Sequence, residues 1–138
     1  MTRAVVRERV RWSDVDRARI VYFGKYLRWV EAAEAEFFRA HGYTYDAIED
    51  RLGIFLARVH LDMDFRKVVR LDDELECWAE LRRVGGSSLH FSYAIERSGE
   101  RVVDVTLVLA CLDRATLKPA RVPAELRAAL ARSAAAGE

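Results

Sequence analysis

The sequence predicts an α+β protein in which an antiparallel sheet wraps around one long, largely buried helix. Two observations predict this fold. A helical pattern with a wide apolar stripe runs over residues 23–41, and four strand-like segments with short connections follow it. With a strand before the long helix, a short helix after it and another at the end, the order is β-α-(α)-β-β-β-β-α. The helix and the sheet bury each other's apolar faces if the sheet curls around the helix.

Length and composition indicate a single domain over residues 1–138. The chain has a mass of 15.8 kDa, with 51% hydrophobic and 33% charged residues, as in ordinary globular proteins. No segment approaches the roughly 20 apolar residues of a membrane span, and the N-terminus does not resemble a secretory signal, so we expect a cytoplasmic protein. A net charge of +1 gives no reason to expect nucleic acid or an anionic membrane as a partner.

The cysteine and amide contents add two expectations. Cys77 and Cys111 are too few for a disulfide framework, so we expect reduced core residues. The chain contains no Asn and no Gln, and its basic residues are mostly Arg. This composition suggests a thermophilic source, although a GC-rich genome would also favour Arg.

The first half of the chain contains one strand and two helices. Residues 4–12 alternate, with Val6, Val10 and Trp12 on one face, which predicts a strand with one face in water. The polar residues 13–17 interrupt that pattern. The long helix over 23–41 is followed by Gly42 in the position of a C-terminal cap, and a short helix over 44–52 ends at a glycine. The apolar stripe of the long helix comprises Phe23, Tyr26, Leu27, Val30, Ala33, Phe37 and Phe38.

The second half consists of strands and a final helix. The predicted strands cover 54–66, 73–84, 87–97 and 101–112. In the first of them, Ala57, Val59, Leu61, Met63 and Phe65 alternate with Arg58, His60, Asp62 and Asp64. The last strand is apolar on both faces, which is typical of a central strand and is consistent with a subunit interface over one side. Pro123 begins a helix over about 123–134, and the tail beyond it is expected to fray.

Several of these segments resemble a known family. Residues 12–31, which contain Asp14-Val-Asp16, Val21-Tyr22 and Glu31, resemble the opening motif of the hotdog-fold acyl-CoA thioesterases. The similarity is to the 4-hydroxybenzoyl-CoA thioesterase group and its Tol-Pal-associated relatives. It continues through residues 70–75, 86–91, 111–114 and 118–123. The resemblance implies a hotdog fold, hydrolysis of an acyl-CoA to free acid and CoA, and a homodimer or homotetramer.

Asp16 is the candidate catalytic carboxylate. The residues alone indicate turn and capping chemistry, because Asp side chains accept hydrogen bonds from nearby backbone amides. The resemblance implies that Asp16 is the nucleophile or the general base, and that Asp14 belongs to the frame of the loop. It also implies that the amide of Phe23 or Gly24, at the helix N-terminus, stabilises the oxyanion. An alternative role for Gly24 is to relieve crowding where the chain enters the helix.

Three residues depart from the family pattern. Arg19 stands where the family often has Gly, and Lys25 stands where it often has Asn. Phe23 occupies a position at which the Tol-Pal-associated members carry a His, so Asp16 would act without that side chain. These departures leave the substrate open, and Tyr22, Tyr26, Trp29 and Phe55 could line an aromatic or an aliphatic acyl pocket.

The remaining site candidates are charged or polar. Glu31 matches a position where the family keeps an acid, whereas Glu34 lies within the apolar stripe and is expected to form a structural ion pair with an arginine rather than to act in catalysis. Candidates for contacts with the CoA phosphates flank a Gly-Gly turn, which could equally be a solvated hairpin tip. They are Arg82, Arg83 and Ser87.

No metal or separate cofactor is expected. His60, Asp62 and Asp64 share one strand face, but strand neighbours two residues apart are about 7 Å apart, which does not suit one metal ion. CoA would enter only as part of the substrate. Two alternatives to the acyl-CoA thioesterase remain: a non-catalytic module that binds acyl-CoA, since the fold alone does not imply hydrolysis, and a thioesterase acting on acyl carrier protein.

Overall fold

The computed structural model describes residues 4–136, with side chains through Arg132. Its five strands form one antiparallel sheet in the order β1-β3-β4-β5-β2, which leaves β1 and β2 at the edges. The predicted α+β class is confirmed. Short 3-10 helices cover Trp12–Asp14 and Phe23–Lys25, and the main elements are β1 (Ala4–Arg9), α1 (Tyr26–Ala40), α2 (Tyr45–Leu52), β2 (Ile54–Phe65), β3 (Glu74–Val84), β4 (Ser88–Arg97), β5 (Glu100–Asp113) and α3 (Ala124–Ala136).

Helix α1 packs against the concave face of the sheet, as predicted. The rings of Phe37 and Phe38 lie 5.1 and 5.9 Å from that of Phe91 on β4, and all three are buried. The helix ends at Ala40, and Gly42, two residues later, has a φ of 87°, a conformation that glycine favours. The Tyr43 amide donates to the Phe38 carbonyl at 2.9 Å and closes the cap.

The start of α1 and the end of β1 differ from the prediction. The α-helix begins at Tyr26, because the three residues before it form a tighter 3-10 turn. Strand β1 ends at Arg9 rather than at residue 12, since the Asp14 carboxylate accepts a hydrogen bond from the Arg11 amide at 2.8 Å and bends the chain into a 3-10 turn. Trp12 is therefore 70% exposed and does not share the apolar face of the strand.

Strand β2 contains a β-bulge that the alternating pattern does not reveal. Arg58 pairs with Leu109, but His60 pairs with Val108, so Val59 is the extra residue. Because of the extra residue, Arg58 and Leu61 lie on the same face of the strand, which is the face toward α1. There the Arg58 guanidinium binds Glu34. The predicted alternation, which puts Arg58 and Leu61 on opposite faces of the strand, is therefore wrong.

The other predicted elements are confirmed. Helix α2 begins after Thr44, whose hydroxyl accepts from the Ala47 amide at 3.1 Å, and β5 lies inside the sheet between β4 and β2. Helix α3 starts one residue later than predicted and continues to Ala136; the end of the predicted frayed tail, residues 137–138, lies outside the described residues. Cys77 and Cys111 are buried free thiols. No helix within residues 4–136 is long and apolar enough to cross a membrane.

Candidate active site

Asp16 lies at the tip of a tight loop between β1 and α1. An antiparallel bridge joins Val15 and Val21, and the Asp16 amide donates to the Ile20 carbonyl at 3.0 Å, so the loop folds back on itself. Oδ1 of Asp16 accepts the Ala18 amide at 2.8 Å. Since this is the only hydrogen bond to that carboxylate within the described residues, Oδ2 is free to face a substrate or a water molecule.

Asp14 has a different, structural environment. It is only 2% exposed, and its carboxylate accepts hydrogen bonds from the Arg11 amide and, at 2.7 Å, from the Arg28 guanidinium. Arg28 also binds Glu8 at 2.8 Å. Partial burial opposes the charge of Arg28, but its hydrogen bonds to the two carboxylates outweigh this effect and raise its pKa. This network fixes the loop that carries Asp16.

The start of the helical segment lies beside this loop. The Tyr22 amide donates to the Asp14 carbonyl at 2.9 Å, which joins the beginning of the loop to its end. Lys25 makes the first helical hydrogen bond, to the Tyr22 carbonyl at 2.8 Å, so the amides of Phe23 and Gly24 precede it. A Cβ on Gly24 would lie 3.3 Å from the Tyr22 ring, which is tight but can be relieved by movement of that ring. The geometry thus suits both roles considered for Gly24.

The aromatic candidates divide into exposed and buried residues. Tyr22 and Phe23 are exposed, with ring centroids 4.7 Å apart, beside the Asp16 loop. Tyr26 and Trp29 are buried, and Tyr26 packs 5.5 Å from the ring of Phe65. Burial raises the pKa of Tyr26 despite the charge of Arg97. Tyr26 and Trp29 are therefore core residues of the chain rather than walls of an open pocket.

A cleft of about 700 Å³ runs along α1 between this helix, α2 and β2. It begins at Leu27, one helical turn beyond Gly24, so its near end lies next to the candidate oxyanion site. Its walls are mostly apolar, as is usual for a small-molecule site. They consist of Leu27, Val30, Glu31, Glu34, Tyr45, Ile48, Glu49, Phe55, Leu56, Arg58, Leu61 and Leu107.

Glu34 forms the buried ion pair that the sequence predicts, and its partner is Arg58 of the same chain. The hydroxyls of Tyr45 and Tyr93 also donate to Glu34, at 2.6 and 3.1 Å. Burial, and then the hydrogen bond to Glu34, raise the pKa of Tyr45. Glu31 is exposed and lines the cleft.

Arg82, Arg83 and Ser87 lie far from Asp16 along the sheet. Strand β1 joins β3 at Glu74, next to the Asp16 loop, whereas these three residues flank the turn at the other end of β3. The ten steps from Glu74 to Val84 span about 33 Å at about 3.3 Å per residue. Arg82 binds Glu80 at 3.1 Å, and Arg83 and Ser87 are exposed. One chain therefore does not bring these candidates to the carboxylate.

Other titratable side chains do not form a second site of this kind. His60, Asp62 and Asp64 are exposed, and no three His, Cys, Asp or Glu side chains among residues 4–136 could hold a metal ion. Ser88 Oγ lies 2.9 Å from His90 Nε2. Burial, followed by the charge of Arg83, lowers the pKa of His90, which therefore favours its neutral form.

A sheet curled around one helix, with a carboxylate beside the start of that helix, defines a protein of the hotdog class. The chain belongs to the thioesterase-like superfamily, which residues 10–130 match.

Named relatives and solved structures agree with this assignment. The chain is 28% identical over 121 residues to the acyl-CoA thioesterase YbgC of Haemophilus influenzae, covering 88% of this chain and 89% of the relative. It is 29% identical over 116 residues to the acyl-CoA thioester hydrolase YbgC of Escherichia coli, covering 83% and 86%. A hypothetical protein of Thermus thermophilus, TT1821, superposes with a TM-score of 0.87 at 28% identity over 94% of this chain and 98% of that chain. The DHNA-CoA thioesterase of Staphylococcus aureus has the same fold, with a TM-score of 0.90 at 20% identity over 99% and 94%.

Two site features escape the sequence analysis. Arg58 enters the cleft only because of the bulge in β2, and strict alternation places it outside. Arg28, in the first turn of α1, forms an ion pair with Asp14. The sequence does contain a signal for this contact, because a basic residue near the start of a helix follows two acidic residues in the preceding loop.

Proposed function

We propose that this protein is an acyl-CoA thioesterase, which uses water to hydrolyse the thioester of an acyl-CoA to a free acid and CoA. The observation that carries the proposal is the Asp16 carboxylate, which is held by the Ala18 amide with one oxygen free. It lies in a loop that the Tyr22 amide joins to the start of the helical segment, where the amides of Phe23 and Gly24 lie. The relatives named as acyl-CoA thioesterases support the same chemistry.

Asp16 either activates a water molecule for attack on the thioester carbon or attacks that carbon itself. As a general base it removes a proton from water while the water oxygen bonds to the thioester carbon; as a nucleophile it bonds to that carbon itself, and water then cleaves the anhydride. In both routes the carbonyl oxygen becomes negative before the C–S bond breaks, and CoA leaves as a thiolate that takes up the proton released by water. The amides of Phe23 and Gly24 donate to that oxygen, and the partial positive charge at the helix start adds to the stabilisation.

The acyl group occupies the cleft along α1, and a second subunit completes the site. Strand β2 is a twelve-residue edge strand with exposed apolar side chains, among them Val59 at 61% exposure, which favours pairing with another strand. If two β2 strands pair antiparallel about a two-fold axis, the Phe65 end of one meets the Ile54 end of the other. The partner's β3–β4 turn then approaches Asp16, which would allow Arg82, Arg83 and Ser87 to bind CoA phosphates across the dimer.

The proposal includes further expectations. We place the enzyme in the cytoplasm as a homodimer or a pair of dimers, without a metal or separate cofactor. A thermophilic source accounts for the lack of Asn and Gln.

The test is release of free thiol from a panel of acyl-CoAs that includes acetyl, octanoyl, hexadecanoyl and benzoyl groups. We expect kcat/KM of about 10⁴ M⁻¹ s⁻¹ or more for the best member, as for ordinary enzymes. Binding without turnover of any member would contradict hydrolysis and favour a silent acyl-CoA-binding module. Hydrolysis of acyl groups bound to acyl carrier protein, without hydrolysis of any acyl-CoA, would show that the substrate is an acyl carrier protein thioester.

The protein's own thiols should not disturb this assay. Burial raises the pKa of Cys77 to about 12 and that of Cys111 to about 11, so at mildly alkaline pH both remain protonated and enclosed. Because the thiolate is the reactive form, we expect the native protein to react with an aromatic disulfide reagent at least about a hundredfold more slowly than the denatured chain. Absorbance of the released reagent thiol measures this ratio. Full labelling of the native protein as fast as of the denatured chain would contradict it.

A further inference from the structure

Glu34 is a buried carboxylate that the proposed chemistry does not use. It is 1% exposed and lies on the cleft face of α1, one turn after Val30. Three donors satisfy its oxygens: the Arg58 guanidinium and the hydroxyls of Tyr45 and Tyr93. These three donors stabilise the negative charge of Glu34, because a buried carboxylate without donors would be strongly unfavourable.

The ion pair joins two walls of the cleft, since Glu34 belongs to α1 and Arg58 to β2. Helix and strand run in opposite directions here: Phe65 at the end of β2 packs on Tyr26 at the start of α1, and Arg58 meets Glu34 farther along. The pair therefore divides the cleft. On the side of Asp16 the apolar walls are Leu27, Val30, Leu61 and Leu107, and beyond the pair they are Ile48, Phe55 and Leu56.

The position of the pair defines a length. Glu34 is ten residues beyond Gly24, which corresponds to about 15 Å at the helical rise of about 1.5 Å per residue. A fully extended chain covers about 1.2 Å per bond, as three backbone bonds span about 3.3–3.6 Å. An acyl group whose carbonyl lies at Gly24 would thus reach the pair after roughly twelve bonds.

An alkyl chain that extends past the ion pair loses binding free energy. Moving Arg58 aside would leave the Glu34 charge, which is almost fully buried, without its counter-ion, and an alkyl chain offers no donor in return. Shorter chains end in the first apolar section and leave the pair intact.

We propose that the Glu34–Arg58 ion pair sets the upper limit of acyl chain length, near ten to twelve carbons, by closing the far apolar section of the cleft. This inference rests on the proposed function, because it assumes that the cleft holds the acyl group. It makes Glu34 and Arg58 residues that determine specificity without taking part in the chemistry.

The experiment compares octanoyl-, decanoyl-, tetradecanoyl- and hexadecanoyl-CoA, all below their micelle concentrations. The wild type should lose at least about tenfold in kcat/KM between decanoyl and tetradecanoyl, because the longer chain must displace Arg58 and leave the buried Glu34 carboxylate without its counter-ion. The double variant Glu34→Leu/Arg58→Leu removes both charges together and opens the far section. Its hexadecanoyl-to-octanoyl ratio should rise about tenfold or more, because each buried methylene is worth about a factor of four in affinity.

Two variants serve as controls. Arg58→Lys keeps the charge and should keep the length limit. Glu36→Gln/Arg39→Gln removes an exposed ion pair from the same helix, away from the cleft, and should leave the profile unchanged. Should the double leucine variant not fold, a wild-type profile without a drop between decanoyl and tetradecanoyl would still overturn the proposal, and a single Arg58→Met variant, which removes the counter-ion alone, should shift the limit.

Binding of non-hydrolysable thioether analogues, measured by calorimetry, separates the two proposals. Analogue binding with the same length limit, but without hydrolysis of any acyl-CoA, would refute the proposed function and support the length limit. Equal binding and turnover of octanoyl and hexadecanoyl groups by the wild type would overturn the length limit and leave hydrolysis intact. A folded double leucine variant with the wild-type ratio would also overturn it.

Discussion

Asp16→Asn should lower kcat/KM for the best acyl-CoA about a thousandfold or more. An amide cannot take a proton from water and is a poor nucleophile, so either route from Asp16 is lost. The side-chain oxygen of asparagine can still accept the Ala18 amide, which keeps the loop in place. We therefore expect the free energy of unfolding to change by less than about 0.5 kcal/mol, as for an exposed residue.

Asp14→Asn is the matched control two residues away. Asp14 is buried and paired with Arg28, so the amide leaves this guanidinium without one of its two carboxylates. We expect a loss of about 1–3 kcal/mol in the free energy of unfolding and a smaller effect on turnover of the folded protein.

Denaturant titration and steady-state kinetics on both variants distinguish a catalytic from a structural carboxylate. Equal activity of the wild type and Asp16→Asn would exclude Asp16 as the catalytic residue. Loss of stability in Asp16→Asn but not in Asp14→Asn would reverse the roles of the two acids.

The sheet and its central helix could be predicted because their signals are local and repeated. Buried residues alternate with less buried ones over eight residues in β3 and in β4, and Gly42 after α1 has a conformation that few other residues adopt. The boundaries that failed depend on single side-chain contacts. Asp14 ends β1 by binding the Arg11 amide, and periodicity carries no information about that bond.

The site was less accessible to sequence reasoning than the fold. The residue types alone do not distinguish Asp14 from Asp16, and the sequence analysis separates them only through the family resemblance. The folded loop adds the physical difference: one acid is buried and bound by Arg28, and the other is exposed with a free oxygen. The Glu34–Arg58 pair depends on a bulge that shifts the register by one residue, and such a shift exchanges the two faces of a strand. Sequence reasoning anticipated an arginine partner for Glu34 but could not identify which arginine it is.

Val59→Glu should disrupt the proposed dimer and, with it, the activity. Val59 is 61% exposed on the edge strand β2 and does not line the cleft, so the change leaves the acyl walls intact. In an antiparallel strand pair about a two-fold axis, residues near the middle of the strand approach their own copies. Two glutamates placed there repel each other and lose the apolar contact, which should weaken association about a hundredfold or more.

Arg7→Glu places the same charge on the opposite edge strand, β1, and disrupts an exposed ion pair with Glu76. Sedimentation velocity over a range of protein concentrations should show a dimer or larger assembly for the wild type and for Arg7→Glu, and a monomer for Val59→Glu at micromolar concentration. Activity per chain should fall with the monomer fraction, because an isolated subunit leaves Arg82 and Arg83 about 26–30 Å along β3 from the Asp16 end of the sheet. A monomeric wild type with full turnover would contradict the shared site and would require CoA to be bound by residues nearer to Asp16.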